Sequence, residues 1–181
     1  MSSLNNLHPR PGNSRLVRLA LLTAMGLILF LFESLIPRPL PWLKPGLAHI
    51  ATLMALYLMG ISEAMVVVVL RVFIGSLLLG SFLNPAFILS LAGGLAATLV
   101  MALGYRYGTK IFSIFGISIL GASAHNLTQL TLVHMLIVKR IEIFYLAPLM
   151  ILSSLFTGFV VALVAHLLLQ QAAMFLPVRL K

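Results

Sequence analysis

The polar residues of this chain fall in a few short clusters, and almost everything between them is apolar. Residues 1–16 form a polar stretch with Pro9, Pro11 and Gly12, which reads as an N-terminal tail. An apolar run then continues from about 17 to 36 and stops at Pro37. It has no small-residue cleavage site, so it reads as a retained first span and not a removable signal peptide. The segment Pro37-Arg38-Pro39-Leu40-Pro41-Trp42-Leu43-Lys44-Pro45 is too dense in proline to be helical. Five further spans follow, at about 46–60, 64–81, 84–104, 111–138 and 143–171. Their separators are Gly60-Ile61-Ser62-Glu63, the turn opened by Asn84-Pro85, the polar turn Tyr105 to Lys110, and Lys139-Arg140-Ile141-Glu142. Runs of this length and polarity predict membrane-crossing helices. The expected architecture is an all-α six-helix transmembrane bundle over 17–171, with a second tail at 172–181.

Composition agrees with that pattern. The chain has 181 residues, 61% hydrophobic and 8% charged, against about a quarter charged in a typical soluble domain. Its net charge of +9 comes from 12 Lys and Arg against three acids, Glu33, Glu63 and Glu142. The basic residues are scattered singly and make no stripe interleaved with aromatics, which argues against nucleic acid. Their distribution orients the bundle instead. With both termini inside, Arg10, Arg15, Arg18, Arg106, Lys110, Arg179 and Lys181 lie on the cytoplasmic side. Arg38, Lys44, Lys139 and Arg140 fall outside, and seven against four favours this cell-membrane topology.

Ionisable residues inside a span are costly and face a bundle interior or a cavity. Arg71 lies near the middle of the third span; it is either a structural arginine or part of a site, with Glu63 and Glu33 as candidate partners. His125, Asn126 and Gln129 share one turn and a half of the fifth span, where they either line a ligand site or pin helices together. Lone His134 reads as structural. Glu33, Trp42, Lys44, His49 and Asn84 sit at the outer ends of the first four spans and are expected to converge with Gln129 on an outward-facing mouth, with Trp42 alternatively an interface anchor. Arg38, Lys44 and Arg71 would make that mouth electropositive, suited to an anionic ligand. Small residues recur at helical spacing in Ala20 and Ala24, in Gly93 and Ala97, and in Ser154, Gly158 and Ala162. These suit close helix packing or, alternatively, a partner surface.

What is missing narrows the chemistry. No phosphate-binding loop of the G-x-x-x-x-G-K-[ST] type occurs, so ATP hydrolysis by that route is excluded. No His/Glu spacing suggests a metal site, no cofactor is called for, and the absence of Cys removes thiolate chemistry. With three separated Glu and no Asp, a carboxylate cage for Mg²⁺ and diphosphate is not available.

Several segments resemble the heptaprenyl diphosphate synthase component I family, also called the Gx transporter family. They are Glu33-Ser34-Leu35-Ile36-Pro37, Lys44-Pro45-Gly46-Leu47-Ala48-His49-Ile50, Arg71 to Leu78, Asn84-Pro85-Ala86-Phe87, Ser90-Leu91-Ala92-Gly93-Gly94, and Gly121 to Gln129, spread over about 20–170. His49 stands where the family pattern has Asn, and Pro45 and Thr128 where it has Leu and Gly. The family name implies a subunit of a prenyl-chain synthase. The family also resembles the substrate-binding components of energy-coupling-factor transporters. Those are six-span proteins with an outer ligand pocket and an A-x-x-x-A motif that docks on a transmembrane coupling subunit, served by separate ATPase subunits. Ala20-Leu21-Leu22-Thr23-Ala24 stands where that motif belongs. Together with the polar positions above, the resemblance leads to the expectation of a non-enzymatic component whose small anionic ligand is bound by Arg71, His125, Asn126, Gln129, Glu33, Lys44, His49 and Asn84. Its alternative is a non-catalytic membrane subunit that assists polyprenyl diphosphate or quinone synthesis. A plain structural subunit of a membrane complex is a third reading.

Overall fold

A computed structural model describes residues 11–36, 46–108 and 111–175. All regular structure among them is helical. Six α-helices stand where the six spans are expected: α1 (Pro11–Leu35), α2 (His49–Leu58), α3 (Ile61–Leu78), α4 (Pro85–Tyr107), α5 (Ile114–Val133) and α6 (Ala147–Phe175). A π-helical turn (His134–Val138) and a 3₁₀ turn (Ile141–Leu146) join α5 to α6. α1 begins within the segment read as tail, and Pro11 at its first position loses no intrahelical hydrogen bond there.

Among the described residues four stretches are long and apolar enough to cross a membrane: 14–35, 61–78, 85–107 and 141–174. This is a membrane-embedded protein. α5 has 20 residues, but its central polar turn keeps it out of that set. α2 has only ten residues, about 15 Å of helix, or half the thickness of a hydrocarbon core. It is also the most enclosed helix. Every residue from His49 to Leu56 is buried, and α2 touches α1, α3, α4 and α6. Gly60, at a φ of 117° open to glycine, ends it and turns the chain directly into α3.

Small residues are prominent inside the bundle and many large ones outside. The fully buried positions include Ala51, Ala55, Ala64, Ala97, Ala162 and Ala165, while large side chains such as Leu21, Ile28, Leu152 and Phe156 point outward. Lipid solvates the outer surface, so small residues inside let backbones approach. At the α5–α6 seam a Cβ added to Gly158 would lie 2.7 Å from Ile119 Cα. Polar bonds run along the same seam. Ser118 Oγ donates to Gly158 O at 2.8 Å, and the Ser123 and Ser154 hydroxyls pair at 2.8 Å. The small residues of α4 and α6 thus serve internal packing. Ala20 and Ala24 do not: both are exposed on α1, on the face that also presents Leu21 and Ile28.

Candidate functional site: a buried Arg–His–His chain

The end of α1 and the start of α2 are tied by a carboxylate. Glu33, in the last turn of α1, is buried, and its Oε1 accepts the Ala48 N–H at 3.2 Å. Ala48 precedes α2 and offers no capping side chain of its own, so Glu33 caps the helix from a neighbour, where a negative charge also suits the helix dipole. This places His49 at the first position of α2, facing the middle of α3.

Arg71 Nη2 lies 3.1 Å from His49 Nδ1, and His49 Nε2 lies 3.2 Å from His125 Nδ1. A guanidinium only donates, so His49 accepts at Nδ1 and its proton resides on Nε2. That proton is then donated to His125, whose ring stands edge-on to His49 at 78°. The three side chains form one directed chain from α3 through α2 to α5.

Glycines make this crossing possible. A Cβ at Gly26 would lie 3.3 Å from Arg71 Cδ. One at Gly93 would lie 2.9 Å from His125 Nδ1 and 3.2 Å from Gln129 Cγ. Gly93 therefore brings His125 and Gln129 side by side against α4.

Several buried polar atoms at this level have no hydrogen-bond partner among the described residues. They are Arg71 Nε and Nη1, both amide atoms of Gln129, and Thr52 Oγ1. An unmade bond of this kind costs about 1–3 kcal/mol, more for a charged group. Arg71 also borders a water-sized cavity with Glu33, His49, Ser90 and His125. Glu33, one of the two candidate partners of Arg71, shares that cavity with it. Glu63, the other candidate partner, instead pairs with Arg15.

Glu33, His49, Arg71 and His125 thus meet, with Gln129 beside them. Asn126 turns the other way: its Nδ2 donates to Met150 O at 3.0 Å and lies 3.3 Å from Ser153 Oγ on α6. It lines a second cavity with His49 and His125. Asn84 is exposed at the start of α4, apart from the cluster. Lys44, with Arg38 and Trp42, lies outside the described residues. His134 takes a structural contact, its Nδ1 donating to Arg140 O at 3.1 Å. Among the described residues no group of three His, Cys, Asp or Glu comes together as metal ligands. Ser90 joins the site without having been singled out from sequence. Ser90 had one available signal, its place in the Ser90-Leu91-Ala92-Gly93-Gly94 segment.

A family model described as heptaprenyl diphosphate synthase component I matches residues 22–168. The chain belongs to this family. The match takes in every residue of the Arg–His–His cluster and Ala24, and begins two residues after Ala20. Neither a curated protein nor a solved structure matches the chain.

Proposed function

We propose that this protein is a ligand-binding membrane subunit that captures a small acid at the Arg71 cluster. The observation that carries this reading is the buried guanidinium of Arg71, with Nε and Nη1 unpaired beside a cavity. A carboxylate or phosphate group is the natural complement to two such donors. The basic-residue bias favours both termini in the cytoplasm, and in that orientation the end of α1 and the cluster lie in the outer half of the bundle. A six-helix protein with an outward binding site fits the substrate-binding component of an energy-coupling-factor-like transporter. Ala20 and Ala24, exposed together on α1, then form the docking face for a transmembrane coupling subunit, with ATPases as separate chains.

A second reading follows from the family description: a non-catalytic membrane subunit of a prenyl diphosphate synthase. The ligand would then be that pathway's diphosphate, and the partner a soluble catalytic chain.

Affinity purification from native membranes tests both. Mass spectrometry of co-purified small molecules and proteins is expected to give an acid together with ATPase and coupling subunits. A prenyl synthase as the sole stoichiometric partner would replace the first reading with the second. Ala20→Trp and Ala24→Trp are expected to release the coupling subunit without altering the ligand. Retention of every partner by both variants would remove the docking face.

A further inference from the structure

The cavity beside Arg71 is one of two that meet at the imidazole pair. The first holds Glu33, Arg71 and Ser90. The second lies between α4, α5 and α6 and is bounded by Met101, Ala122, Thr157 and Val161. His49, His125 and Gly46 line both. His49 and His125, 3.2 Å apart, thus stand where the two cavities adjoin.

The chambers differ in chemistry. Arg71 lines the first, and two of its nitrogens, Nε and Nη1, have no protein partner. The second contains Ser118 and Asn126, whose donors Oγ and Nδ2 are engaged by α6 through Gly158 O and Met150 O. What it offers an occupant is mainly the Met101, Ala122 and Val161 surface. Each chamber has room for about one water, whereas small-molecule sites enclose hundreds of cubic ångströms. With the two imidazoles in contact neither chamber admits such a ligand, and parting His49 from His125 would join a charged compartment to an apolar one. Gly93, with no side chain under the His125 ring, leaves that ring lying directly on the α4 backbone.

We infer that the ligand is an amphipathic acid. Its single anionic group binds Arg71, and its apolar body passes the parted His49–His125 pair into the chamber between α4, α5 and α6. This rests on Arg71 being a ligand contact, as proposed above, and adds the class of molecule bound.

The test uses the full chain in lipid nanodiscs, with empty nanodiscs as the partition control. Ligand-detected NMR measures dissociation constants for inorganic phosphate, acetate, benzoate and 3-phenylpropionate. In the unmodified protein 3-phenylpropionate is expected to bind at least about tenfold more tightly than acetate or phosphate, as burial of a phenyl group predicts. Ala122→Leu fills the second chamber and is expected to erase that advantage while leaving acetate unchanged. Thr157→Leu acts on the same chamber from α6, should Ala122→Leu not fold. Arg71→Gln is expected to abolish binding of every acid; Arg71→Lys, which keeps the charge, serves if the glutamine variant does not fold. Equal affinity for all four probes, or an advantage that survives both chamber-filling variants, overturns the amphipathic ligand but leaves Arg71 as an anion site. No binding by any probe, or binding indifferent to Arg71, overturns both.

Discussion

Two glutamates are buried in this bundle, Glu33 at 2% exposure and Glu63 at 5%, and their surroundings are opposite. Glu63 lies at the end where α1 and α3 begin. It pairs with Arg15, accepts a 2.8 Å bond from Ser62 Oγ and occupies the first turn of α3. The Arg15 side chain is 70% exposed, so that pair is open to solvent ions. Glu33 lies 18 residues further along α1 than Arg15, roughly 27 Å away at 1.5 Å per residue. Its cationic neighbour, Arg71, is 3% exposed and keeps unpaired donors. One acid belongs to a finished clasp. The other belongs to an arrangement that lacks a component, and an unmet buried guanidinium is the kind of cost that persists where function requires it.

The largest expected effect follows from that contrast. Arg71→Gln is expected to weaken acid binding at least about a hundredfold, the scale of losing a desolvated charge-assisted contact. The melting temperature of the empty protein should stay within a few degrees, because the removed guanidinium was itself incompletely bonded. Calorimetry and titration on the same preparation check this. Collapse of the fold without a specific binding defect would make Arg71 a structural arginine and erase the difference between the two ends.

Gly93→Ala ranks next. The new Cβ would meet His125 Nδ1 at 2.9 Å, and overpacking of this kind costs about 1–3 kcal/mol. The imidazole must move off His49, so the thermal midpoint should fall together with acid affinity. Unaltered affinity in a destabilised variant would separate the His49–His125 contact from binding.

Glu33→Gln is expected to act in the opposite sense. The amide oxygen still accepts the Ala48 N–H, but the charge opposing an incoming anion is gone. Acid affinity should rise severalfold in titration. A fall would mean that Glu33 holds Arg71 in its binding position and does not merely neutralise it.

The helices were legible because span length and helix breakers are local properties; α1 ends at Leu35, two residues before Pro37, and Gly60 separates α2 from α3. The vertical position of the site was legible too, since Glu33, His49 and Gln129 fall at matching ends of their spans. The directions of side chains were not. Asn126 and Gln129 are three residues apart on one helix, yet Asn126 bonds α6 while Gln129 lies against Gly93 of α4. Their divergence is set by which helices flank α5, and a single sequence does not carry that. The same holds for Asn84, which shares its level with Glu33 but is exposed at the start of α4. α2 shows the limit most clearly: its sequence is as apolar as a lipid-facing helix, and only its enclosure by four neighbours makes it the pivot that presents His49.

The smallest effect belongs to the closed end. Arg15→Ala removes a cation that is mostly in solvent, and Glu63 keeps its Ser62 hydroxyl and its place at the N-terminus of α3, where a negative charge is favoured. The loss should therefore be at most about 1 kcal/mol, as for other exposed ion pairs. It should shrink further in molar salt, where screening acts over about 3 Å. Acid affinity should not change, because Glu63 lies eight residues from Arg71 along α3, roughly 12 Å at 1.5 Å per residue, and shares no partner with it. Thermal melts of the full chain across a salt series check the first expectation and titration the second. A salt-independent loss of several kcal/mol would show that Glu63, like Glu33, is effectively desolvated; a change in affinity would show that the two ends of the bundle move together.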